Sequence, residues 1–78
     1  MGQDWKKYAK TLLKSEIARK DLNFIEVSER LKALGIDESP QNISNKIARG
    51  SFSATFMLQV LHAIGSTDIH LDQVNNPQ

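Results

Sequence analysis

The sequence predicts an all-α fold, a compact bundle of four or five helices. Three observations carry that expectation. Apolar residues recur at helical spacing through most of the chain. Residues that cap helices bracket those stretches: Asp4, Asn23, Ser39 and Ser53 stand before them, and Gly35, Gly50 and Gly65 after three of them. The length, 78 residues, fits one small domain near the lower limit for a self-sufficient core. Residues 1–72 read as a single helical domain and 73–78 as a loose C-terminal tail.

The first helix is expected over about 5–20, with Asp4 as its N-cap. Trp5, Tyr8, Ala9, Leu12, Leu13 and Ile17 form its apolar face, and Lys6, Lys7, Lys10 and Lys14 lie on the other side. Those lysines read as a solvated face that is also available to phosphates. The second helix is expected over about 24–34. Asn23 followed by Glu26 forms a capping-box start, and Gly35 with Ile36 ends the helix. Its expected buried residues are Ile25, Val27, Leu31 and Leu34.

The third helix, 40–49, has Ser39 to cap it, Pro40 in the first turn and Gly50 just past its end. It contains only two large apolar residues, Ile43 and Ile47, one turn apart. The opposite face carries Gln41, Asn42, Asn45 and Arg49, flanked by Ser44 and Lys46, and no carboxylate. The fourth helix is expected over about 54–64, with Ser53 capping it and Phe52 stapled onto Met57. Met57, Leu58, Val60, Leu61 and Ile64 form its expected buried face, with Phe56 off its centre. From Ser66 to Leu71 the pattern fits either a short extended arm or one helical turn.

A net charge of +1 is too small to announce a polyanionic partner. Its distribution says more. Six of the ten Lys/Arg residues fall in the first twenty positions, five acids crowd 21–39, and Lys46 and Arg49 stand in 40–52 with no acid. The chain has no cysteine, which leaves no disulfide framework and no thiolate metal site. Its two histidines, His62 and His70, have no clustered carboxylates, so no metal and no cofactor is expected. There is no glycine-rich phosphate loop and no paired nucleophile and base, so the chain does not read as an enzyme. No apolar run has membrane-spanning length and no leader segment is visible, which makes a cytoplasmic protein the expectation.

The order of the elements sharpens the functional reading. The second and third helices are joined by a short turn beginning at Gly35, and the third is the more polar, with the narrowest apolar stripe. A helix-turn-helix requires this arrangement: one helix braces, and the next shows a polar face to a DNA groove. Over Leu22 to Leu31, Gly35-Ile36, Ile43 to Gly50 and Phe52 to Gly65, the chain resembles the phage-repressor and Cro type of helix-turn-helix domain. That resemblance implies a lambda-repressor-like fold. The chain departs from the repressor pattern in a longer connection around Gly35, in the four-residue spacing of Ile43 and Ile47, and in Phe24 where an amide commonly stands. Over nearly its whole length it also resembles a bacterial family of short, uncharacterised single-domain proteins. Trp5, Tyr8, Glu29-Arg30-Leu31, Gly35-Ile36, Asn42-Ile43, Lys46-Ile47, Arg49-Gly50, Phe52-Ser53-Ala54, Phe56 and Ala63-Ile64-Gly65 carry that second resemblance, which implies no activity.

These readings lead to double-stranded DNA as the expected partner and to a small transcriptional regulator as the expected role. Gln41, Asn42 and Asn45 would read base edges, because side-chain amides make paired hydrogen bonds to adenine in the major groove. Arg49 would meet a guanine or a phosphate, and Lys46 a phosphate. Ser51 and Ser53, at the mouth of the fourth helix, would present backbone N–H groups to another phosphate. A homodimer would form through helix 54–64 and the Ile69/Leu71 segment. The alternative is the same scaffold used as a protein-interaction module without DNA binding. The small net charge, Phe24 and the acidic second helix favour that alternative.

Overall fold

The computed structural model describes residues 4–69 and 71, and these form four helices: α1 (Trp5–Arg19), α2 (Phe24–Ala33), α3 (Pro40–Arg49) and α4 (Ala54–Ala63). The expected tail, 73–78, and His70 lie outside the described residues. Each helix begins on the expected capping side chain. Asp4 accepts from the Lys7 N–H, Asn23 from Glu26, Ser39 from Asn42 and Ser53 from Phe56. The capping box is complete, since the Glu26 carboxylate also accepts from the Asn23 N–H at 2.9 Å.

Three helices end one residue before the expected limit, because the residue expected to be last serves as the cap. Lys20, Leu34 and Ile64 are those caps. The same pair of backbone bonds follows each of these three helices. After α2, the Gly35 N–H donates to the Lys32 carbonyl and the Ile36 N–H to the Leu31 carbonyl, each at 2.9 Å. After α4, Gly65 and Ser66 bond to His62 and Leu61 in the same way, and after α1, Asp21 and Leu22 bond to Ala18 and Ile17. These are Schellman closures, and they satisfy carbonyls that a helix end leaves open. Leu22 and Ile36 then fold back against the core. At Asp21 the left-handed conformation (φ 59°) is taken by a non-glycine residue.

α3 and α4 each pack across both α1 and α2. The shared core is Leu13, Ile17, Val27, Leu31, Ile43, Ile47, Phe56, Val60, Leu61 and Ile64. Several expected core residues lie outside it. Trp5 is 68% exposed, and its indole lies 5.5 Å from the Tyr8 ring. Ile25 and Leu58 are 59% and 66% exposed. Each stands two residues from a buried neighbour, Val27 and Val60, and two residues turn a helix by ~200°. Leu34 is also exposed, at the cap of α2. Phe56, in contrast, is buried and pairs with the Phe52 ring at 5.6 Å. Phe52 and Met57 both pack on the core.

The sequence gives no local sign of the most buried charge. Glu16 is 2% exposed and accepts from the Ser66 hydroxyl and, at 2.6 Å, from the Arg19 guanidinium. The Ser66 bond and then the Arg19 bond hold its carboxyl below the usual carboxylate range, against the opposing effect of burial. Ser66 is buried in turn. The Tyr8 hydroxyl likewise donates to the Leu71 carbonyl. These contacts draw the segment after α4 onto α1, and Ile69 packs inward on the core. The segment is therefore held against the bundle rather than projecting as an arm.

One close approach fixes how α1 meets α3. Gly50 is buried in the left-handed region (φ 71°), and a Cβ there would stand 2.9 Å from the carbonyl carbon of Lys6 and nearer still to its oxygen. Glycine is required at this position both for its backbone angle and for the space.

Candidate nucleic-acid interface

α3 presents a polar face because its sequence leaves it only a two-residue anchor. Ile43 and Ile47 are fully buried between α1 and α2, and the remaining turns face outward. Gln41, Asn42, Asn45, Ala48 and Arg49 are all exposed. Gln41 and Asn45 are joined across one turn, the Gln41 amide donating to the Asn45 side-chain oxygen at 3.1 Å. Pairing of this kind restricts both side chains and leaves each amide with further donor and acceptor capacity. The Asn42 side chain is exposed, and its backbone N–H is taken by the Ser39 cap at 3.1 Å.

Lys46 does not share that freedom. Its ammonium pairs with Glu38, and it lies 5.0 Å above the centroid of the Phe56 ring. The Ser28 hydroxyl donates to the Glu38 carbonyl at 2.6 Å, so the turn before α3 is tied to α2, and Lys46 ties it on to α3 and α4. This lysine, expected to meet a phosphate, is 39% exposed and engaged with Glu38 and the Phe56 ring. Ser51 and Ser53 are exposed between α3 and α4, and the Ser53 hydroxyl is occupied by its own cap, accepting from Phe56 at 3.0 Å.

Arg49 is joined by residues from another element. A groove of about 330 Å³ runs between the first turns of α1 and the end of α3, lined by Asp4, Lys6, Lys7, Lys10, Thr11 and Arg49. It holds four cations against one carboxylate, and that carboxylate is the α1 cap, accepting from the Lys7 N–H at 3.1 Å. Among the described residues the ion pairs are Arg19–Glu16 and Lys46–Glu38, so none of the four groove cations is neutralised by a partner. The α1 lysines were legible as a basic face. Their meeting with Arg49 was not, because it depends on the α1–α3 packing at Gly50.

Residues 5–69 match a protein family described as a domain of unknown function, DUF6471, a range that spans all four helices. The chain belongs to this family. Membership is consistent with the resemblance to an uncharacterised domain family, and it establishes no relationship to helix-turn-helix proteins. No curated protein and no solved structure matches the chain. Among the described residues of this DUF6471 domain, no three His, Cys, Asp or Glu side chains cluster to hold a metal ion. No described helix is long and apolar enough to cross a membrane.

Proposed function

We propose that this chain is a DNA-binding protein whose α3 lies in the major groove, serving as a small transcriptional regulator on a lambda-repressor-like scaffold. The supporting observation is the α3 face itself: three exposed amides and Arg49, with no carboxylate, on a helix anchored by two isoleucines. Asn42, Asn45 and Gln41 supply donor–acceptor pairs for base edges, and Arg49 a guanine or phosphate contact. Ser51 and Ser53 lie at the mouth of α4, where backbone N–H groups face a neighbouring phosphate. A single module of this size buries little DNA surface, so a homodimer on two half-sites is part of the proposal. Exposed Leu58 on α4 and exposed Leu71 form its contact, while Ile69 is turned to the core.

The second reading is a protein-interaction module, favoured by the engagement of Lys46 with Glu38 and by exposed Ile25, Leu34 and Leu58. Selection from a pool of random-sequence duplexes, followed by a salt titration, separates the two. Enrichment of a short site with affinity falling steeply as salt rises is the expected result. Absence of both enrichment and salt dependence overturns DNA binding in favour of a protein partner.

A further inference from the structure

The basic groove between α1 and α3 has a composition suited to one chemical class. Its lining is three lysines, an arginine, a threonine hydroxyl and the one aspartate that caps α1, with no large apolar side chain. Such a lining cannot desolvate a lipophilic ligand, and it matches a row of anionic oxygens. The cations come from two elements held in fixed relation, since Gly50 seats the end of α3 directly against the Lys6 backbone. Arg49 belongs to both surfaces: it lines the groove and it closes the amide face of α3. A ligand in the groove is therefore immediately beside anything bound along that face.

We propose that this groove is a phosphate clamp, in which Lys6, Lys7, Lys10 and Arg49 hold successive phosphodiester groups of a DNA strand flanking the base pairs met by α3. This rests on the DNA-binding reading above and adds α1 to the interface. Each strand of duplex DNA carries a charge every ~3.4 Å along the helix axis, so a groove with four unpaired cations can engage successive phosphates of one strand. The clamp contributes affinity and register and no sequence preference, because phosphates are the same at every step.

The experiment is a salt titration of duplex binding by the wild type, by Lys6→Gln/Lys10→Gln and by Asn45→Ala, with thermal melts to establish that each is folded. The clamp variant is expected to lower the slope of log K against log salt by about two, and to weaken matched and scrambled duplexes equally. Asn45→Ala is expected to keep the wild-type slope and lose discrimination between the two duplexes. Trp5, the single tryptophan, is exposed beside the groove and gives a second signal. Its fluorescence should change when duplex is added to the wild type and change less in the clamp variant. Tripolyphosphate titrated alone tests a free polyanion as the ligand, and binding tighter than that of the duplex overturns the proposal. Salt-dependent binding by the wild type with an unchanged slope in the folded clamp variant overturns the clamp alone. No salt-dependent binding by the wild type overturns both the clamp and the reading on which it rests.

Discussion

Glu16 shows how one residue can join distant parts of so small a domain. Its carboxylate lies on the apolar side of α1, next to Leu12, Leu13 and Ile17, and is satisfied by Ser66, fifty positions away. Removing either partner leaves a buried polar group without its bond, a loss of about 1–3 kcal/mol. Arg19 contributes little of this, since its side chain is largely exposed and its pairing is screened. The sign of the pH dependence follows from the lowered carboxyl. A carboxylate whose folded pKa lies below its unfolded one adds stability that is complete above the unfolded value, ~4.3. That stability is lost as the pH falls through the lower, folded value. Glu16→Gln should therefore melt well below the wild type at pH 7, with the gap narrowing in acid. An equal gap at pH 7 and pH 3 would show that the charge does not contribute. Ser66→Ala should reproduce the loss at pH 7.

At the scale of the element, α3 divides its side chains between anchoring and display. Replacing both Asn45 and Arg49 with Ala should abolish specific DNA binding and leave the melting temperature nearly unchanged, because both side chains are exposed. Unchanged affinity in the double variant would remove α3 from the interface. Lys46 should behave in the opposite way. Its pairing with Glu38 and its place over Phe56 are each worth up to about 1 kcal/mol, so Lys46→Gln should lower stability and alter the salt slope less than the α1 lysines do. The contrast marks what the sequence could reveal. Caps and glycines act through neighbours a few residues away, and Asp4, Asn23, Ser39 and Ser53 all perform as their types demand. The outward amides of α3 were legible for the same reason, since Ile43 and Ile47 fix which side faces in. The engagement of Lys46 was not, because Phe56 reaches it only through the packing of α4. Periodicity also overstated the width of the buried faces: Ile25 and Leu58 fall within apolar runs, but no partner helix covers their side.

At the scale of the molecule, the same domain presents a cationic side and scattered exposed apolar residues. A dimer through α4 and Leu71 should appear as a concentration-dependent mass in sedimentation, and Leu58→Glu should leave a folded monomer with weakened affinity for paired half-sites. A wild type that stays monomeric at high concentration and on DNA would rule that dimer out. The basic groove was the part of the candidate site least accessible to sequence reading. Its two walls are separated by some forty residues, and only the fold brings them together.

The junction at Gly50 sets the dimension of that groove. Gly50→Ala should cost about 2 kcal/mol or more, from a strained backbone and a collision with the Lys6 carbonyl, whereas Gly65→Ala, with open space around it, should cost only the backbone penalty of ~1–2 kcal/mol. Equal losses at the two positions would mean that the contact with α1 is slack. If it is tight, Gly50 is a spacer of zero thickness: the missing methyl is the shim that gauges how far the α1 lysines stand from Arg49. Any side chain there would open the channel by wedging its walls, so its bore is set by an atom that is absent.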